Sequence, residues 1–173
     1  DTPSALLLGV AALLWCAAGA YAGAYIAVAR TRFSIWWLLT LAGSLGVFIA
    51  EDLLSFYLAF ALVSLAGYGL VVHDRTDRAR RAASTYLLLA VMGEVCLLLG
   101  FVLLAVGTPG ESIAIDEVVA ALPNSPVRDA AIAALILGFG LKAGLVPLHV
   151  WLPLAHPAAP MPASAVLSGA IIK

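Results

Sequence analysis

The spacing of charge along this chain constrains its fold more than any other feature. From Ala5 to Ala29 no side chain is charged, and further apolar runs follow at about 33–50, 53–72, 82–106 and 130–148, with the start of another at about 163–173. Spanning ~30 Å of hydrocarbon takes about 20 helical residues. Lipid offers no water to backbone donors and acceptors, so each run is expected to be a helix. The composition agrees, with 64% hydrophobic and 11% charged residues, where a soluble domain has about 25% charged. The predicted fold is therefore all-α, a polytopic transmembrane bundle forming a single membrane domain over residues 1–173. The stretch 107–128, with Pro109, Gly110, Pro123 and Pro126, is too polar to cross. Within it, residues 115–122 read as a short amphipathic helix lying on the surface.

Where the charges sit says more than their sum of −1, which gives no footing for nucleic-acid binding. Alternating crossings put Arg30 and Arg32 on the same side as Arg75, Arg78, Arg80 and Arg81. Glu51, Asp52, Glu111, Asp116, Glu117 and Asp129 then fall opposite, with Arg128 alone among the cations. Basic loops favour the cytoplasm, so the expectation is a plasma (inner) membrane protein with its first residues outside and the 73–81 loop inside. Cys16 and Cys96 lie in apolar runs without metal-ligand spacing and read as packing residues. The chain starts at Asp1 without a methionine and stops about 11 residues into a new apolar run, so it reads as a piece of something larger.

All seven arginines lie in loops or at span ends, whereas both lysines, Lys142 and Lys173, lie in apolar segments. A lysine can exchange its proton when its surroundings change, and an arginine essentially cannot. Lys142 is too deep in its segment to reach either surface easily. It reads either as a proton-binding group facing a hydrated cavity or as a structural lysine, ion-paired or bonded to backbone carbonyls. Gly140, Gly144 and Pro147 around it suggest an interrupted helix, since proline removes a backbone donor and frees a carbonyl one turn earlier. Glu94 is the lone charge inside the 82–106 run. It is either the counter-charge of a lysine on a neighbouring helix or a protonated carboxyl bonded to backbone. His149 and His156 titrate near working pH and suit a relay, although histidines among tryptophan and proline also serve as interfacial anchors. Tyr57, Ser64 and Tyr68 recur on one helical face and read as packing and interhelical bonding.

The stretch Lys142-Ala-Gly-Leu-Val-Pro-Leu-His149-Val-Trp-Leu-Pro-Leu-Ala-His156-Pro, followed by Ser164-Ala-Val-Leu-Ser-Gly-Ala-Ile-Ile-Lys173, closely resembles the antiporter-like membrane subunits of respiratory complex I and its relatives. The wording is nearest to the branch that contains component B of hydrogenase-4 and the formate hydrogenlyase membrane subunit. Tyr25, Arg32-Phe33, Ala50-Glu-Asp-Leu-Leu54 and Ser64-Leu-Ala-Gly-Tyr68 fit the same family in the same order. The resemblance implies a subunit of about fourteen helices built on two inverted repeats, of which this chain looks like one half, the third helix to the start of the eighth. It implies a seventh helix broken beside a central lysine, Lys142, with Lys173 next along a hydrophilic axis and His149 and His156 connecting them toward the cytoplasm. In many relatives a glutamate follows the aromatic residue of the fifth helix and pairs with that lysine. Here Phe60 is followed by Ala61, and Glu94 is left as the candidate replacement.

The expected function is proton or cation translocation by a non-redox subunit of a hydrogenase-4 or complex I-like assembly. Its partners would be the lipid bilayer, other membrane subunits and a soluble redox module, with no cofactor in this chain. The alternative, motivated by Ala61, is a non-pumping membrane anchor for a soluble protein, as in bicarbonate-uptake systems that reuse the same fold.

Overall fold

The computed structural model describes residues 2–110 and 112–171, and Lys173 lies outside them. Among the described residues eight α-helices run in order: α1 Thr2–Tyr25, α2 Arg30–Ile49, α3 Leu53–Val71, α4 Asp77–Gly107, α5 Ile115–Ala121, α6 Pro126–Ala143, α7 Leu152–Ala155 and α8 Met161–Val166. A 3₁₀ turn at Leu148–Trp151 leads into α7, and a π-helical stretch, Leu167–Ile171, continues α8. Among the described residues, α1 to α4 and the stretch Pro126–Ala155 are long and apolar enough to cross a membrane. The protein is all-α and multi-pass.

Several boundaries differ from those read off the apolar runs, each for a local reason. The first run ends at Tyr25 rather than Ala29, because Ala29 takes a left-handed conformation (φ 52°) and turns the chain into α2. Arg30 Nε then caps the frayed end by donating to the Ile26 carbonyl at 2.6 Å. The fourth helix begins at Asp77, not Ala82. Thr76 caps it by accepting from the Ala79 amide at 3.1 Å, so the arginines of 78–81 are helical. At 31 residues and about 1.5 Å per residue, α4 is longer than the ~30 Å hydrocarbon core is thick. The fifth run starts earlier, at Pro126 under a Ser125 cap, and ends as α-helix at Ala143 rather than Leu148.

Hydrogen bonds between loops place both acidic segments at one end of the bundle. Leu53 donates to Ile113 and Ile115 to Glu51, each at 3.0 Å. At the other end Arg32 donates to the His73 carbonyl at 2.5 Å, tying the α1–α2 junction to the α3–α4 loop.

Among the described residues, packing divides into three cores. Trp15 and Ala18 of α1, and Ile26 just after it, meet Phe33 and Trp37 of α2 and Ala163 and Val166 of α8. Ala79, Ala83 and Tyr86 of α4 meet Trp151 and Ala155. Leu53, Leu104 and Ala131 close over Val118 of α5, which explains why this short helix lies down on the bundle rather than projecting from it. At the α4–α6 crossing two glycines face each other. A Cβ on Gly93 would lie 3.3 Å from the Gly138 carbonyl oxygen, and one on Gly138 would lie 3.0 Å from the Gly93 carbonyl oxygen.

Candidate ion-pair site at a helix break

That glycine contact sets the site. Glu94 follows Gly93 on α4, and Lys142 lies one turn beyond Gly138 on α6, so backbone contact brings the two charged side chains together. Lys142 Nζ is 2.7 Å from Glu94 Oε1, with the side chains only 12% and 8% exposed. Further hydrogen bonds to its polar atoms offset the desolvation cost of a buried pair of this kind. Ser64 of α3, fully buried, donates its hydroxyl to the same Oε1 at 2.5 Å. The Ser64 hydroxyl also lies 2.8 Å from the Phe60 carbonyl, and Tyr86 holds the Ser64 carbonyl at 2.8 Å. Phe60 presents its ring to Lys142, with Nζ 4.7 Å from the centroid, within reach of a cation–π attraction. Glu94 Oε2 is buried without a hydrogen-bond partner. The ammonium is thus held by a carboxylate and an aromatic face, while one carboxylate oxygen stays uncommitted.

The helix break beside Lys142 is made by glycine rather than proline. Gly144 takes a left-handed conformation (φ 70°) and caps α6 through its amide on the Gly140 carbonyl. Leu145 donates to that same carbonyl at 2.9 Å. The orphaned Leu141 carbonyl is taken by the indole N–H of Trp151 at 2.9 Å, a buried bond across the break. Pro147 lies beyond the end of α6, at the entry to the 3₁₀ turn, so it prevents the helix from resuming but does not end it. Lys142 falls in the last turn of α6, where outward-pointing carbonyls favour a cation.

The two histidines part company. His156 Nδ1 lies 3.1 Å from Ser164 Oγ and 3.3 Å from Ser168 Oγ, and its ring stacks beside Trp151 with centroids 6.5 Å apart. Trp151 also meets Tyr86 edge-on at 5.3 Å. Tyr86, Trp151 and His156 therefore form a continuous run of rings from the ion pair's neighbourhood to α8. His149 is exposed on the 3₁₀ turn and is not brought to that run. Ser64 and Phe60 are the parts of the site that sequence reasoning did not single out as such. Their one signal is that they stand four residues apart, and so share a face of α3.

Fold and site together define a polytopic membrane protein with an ionisable pair held inside its bundle at a broken helix. The chain belongs to the NADH:quinone oxidoreductase/Mrp antiporter transmembrane family, which matches residues 50–173. It is 32% identical over 145 residues to the NAD(P)H-quinone oxidoreductase chain 4 1 of Synechococcus sp. (strain JA-3-3Ab), covering 83% of this chain and 28% of the relative. It is 31% identical over 133 residues to hydrogenase-4 component B of Escherichia coli (strain K12), covering 77% of this chain and 20% of the relative. Its fold superposes with a TM-score of 0.91 on a chain of the membrane-bound sulfane sulfur reductase, an archaeal respiratory membrane complex, at 24% identity over 98% of this chain and 35% of that one. The resemblance drawn from the stretch between Lys142 and Lys173 is borne out. The chain spans between a fifth and about a third of the length of these relatives.

Proposed function

We propose that this chain is part of an antiporter-like membrane subunit that moves protons, or another small cation, within a hydrogenase-4-like or complex I-like redox assembly. The observation that carries this reading is the Lys142–Glu94 pair, 2.7 Å apart inside the bundle and beside a helix break. An ionisable pair at membrane depth is costly and is normally retained for transport or relay. Moving one proton from Lys142 Nζ to Glu94 Oε1 turns the ion pair into a neutral amine and a carboxylic acid across a single hydrogen bond. Glu94 thereby takes the place of the glutamate absent at Ala61, from α4 instead of α3. His156, with Ser164 and Ser168, exchanges protons on the far side of Trp151, exposed His149 meets water first, and Lys173 is the next carrier along the axis.

The relatives named as quinone oxidoreductase and hydrogenase components support a place beside other membrane subunits, with a soluble redox module holding the cofactors. The arginine distribution supports a plasma (inner) membrane location with the 73–81 loop in the cytoplasm. The test uses the full-length protein in its complex, reconstituted in vesicles. Lys142→Ala and Glu94→Gln should each lower proton movement by about a hundredfold or more while redox turnover continues. Pumping unchanged in Lys142→Ala would overturn the reading and leave the non-pumping anchor as the better description.

A further inference from the structure

A second feature stands apart from the ion pair. Between the first turns of α4 and α7 runs a groove of about 360 Å³ lined by Arg78, Arg81, Ala82, Thr85, Pro153 and Leu154. Its character changes within about one helical turn. Arg78 and Arg81 stand at one end, and Ala82, Pro153 and Leu154 make the rest apolar. The two arginines are three residues apart and so share a face of α4, where like charges repel. Both are exposed, and among the described residues neither has a carboxylate within 4.0 Å, the ion pairs being Arg128–Asp129 and Lys142–Glu94. Thr85 continues the same face, its hydroxyl resting on the Arg81 carbonyl at 3.1 Å.

The groove is built for an amphiphile with a negative head. Two unpaired guanidiniums can each present paired N–H donors to phosphate oxygens, and an anion between them removes their mutual repulsion. The arginines immediately precede the apolar run of α4, which places them at headgroup level with the apolar floor on the hydrocarbon side. Basic pockets between transmembrane helices are suited to anionic lipid headgroups. We infer that this groove binds an anionic glycerophospholipid, its phosphate on Arg78 and Arg81 and its first acyl carbons on Ala82, Pro153 and Leu154. The groove's second wall is α7, beyond the helix break, and the turn that leads into it reaches α4 through the Tyr86–Trp151 ring contact. A lipid seated there braces the break from outside the bundle. This holds whether or not the ion pair carries protons.

The test is native mass spectrometry of the full-length protein in its membrane complex, released from nanodiscs of equal parts phosphatidylcholine and phosphatidylglycerol. The wild type should retain phosphatidylglycerol in preference to phosphatidylcholine. Loss of two surface cations, in the Arg78→Gln/Arg81→Gln variant, should lower that retention by about tenfold or more, with each single variant in between. Arg80→Gln removes the same charge from the same turns outside the groove and should retain the lipid as the wild type does. Equal retention in the double variant, no preference for the anionic lipid in the wild type, or equal loss in Arg80→Gln would each overturn the inference. So would occupation of the groove by another protein segment in the intact complex.

Discussion

Trp151 donates its indole N–H to the carbonyl of Leu141, bridging the break between α6 and the turn that leads to α7. The bond anchors the last turn of α6 at the residue before Lys142 and sets the indole against Tyr86 and His156. Trp151→Phe keeps an aromatic ring there but strands a buried carbonyl, which costs about 1–3 kcal/mol. Thermal unfolding in detergent should show this loss, and Trp151→Leu should lose more because ring packing goes as well. If Trp151→Phe were as stable as wild type, the bond would not be what holds the break.

The α4–α6 crossing depends on two glycines, and they should not be equally sensitive. A methyl on Gly138 would lie 2.7 Å from Leu97 Cγ and 3.0 Å from the Gly93 carbonyl, whereas one on Gly93 would come no nearer than 3.3 Å to anything. Gly138→Ala must part the helices, with a cost of about 1–3 kcal/mol. Gly93→Ala should cost less. Because the crossing sets the Lys142–Glu94 distance, Gly138→Ala should also impair any activity that depends on the pair. Equal stability of the two variants would contradict this account of the contact.

Lys142 and Glu94 are visible in the sequence because each is a lone charge in a long apolar run, and such charges are rarely idle. What the sequence conceals is how the helices cross. Phe60 and Ser64 look like ordinary residues of α3, and their place at the pair follows from the glycine contact that draws α6 onto α4. Hydropathy marks where hydrocarbon ends, not where a helix ends, which is why the arginines of 78–81 read as a loop although Thr76 caps a helix that contains them. The break shows the same limit. Pro147 is the obvious interrupter, yet a left-handed Gly144 ends α6 three residues sooner. His149 and His156 are seven residues apart and would share a face of an unbroken helix, but the 3₁₀ turn separates them.

His73 gives a pH-dependent signal away from the spans. Its side chain is buried against the Phe33 ring, with Nδ1 unpartnered. Burial first, and then the Arg32 charge, hold its pKa below the ordinary 6.5. The folded protein therefore favours neutral imidazole more than the unfolded chain does. His73 contributes stability that is complete above about pH 6.5 and is lost as pH falls through its depressed folded value. Melting temperature measured from neutral to mildly acidic pH should fall on the acid side, and His73→Gln should flatten that fall. A wild-type curve that parallels His73→Gln throughout would rule out this contribution.

The ion pair makes the sharpest prediction, because breaking it and replacing it should have opposite consequences. Removing one partner leaves a buried charge with nothing to neutralise it, a loss of about 3–5 kcal/mol, whereas exchanging both for apolar groups of similar volume is often neutral or stabilising. Lys142→Met leaves Glu94 with only the Ser64 hydroxyl, and Glu94→Leu leaves Lys142 with only the Phe60 ring. Both single variants should therefore unfold more readily than wild type. Lys142→Met/Glu94→Leu should regain most of that loss while remaining unable to move protons. Stability and function would then separate within one double-mutant cycle, as required if the pair is kept for transport and not for folding. If the double variant were as unstable as the sum of the singles, the two side chains would not interact, and the 2.7 Å contact would not describe the folded protein in its membrane.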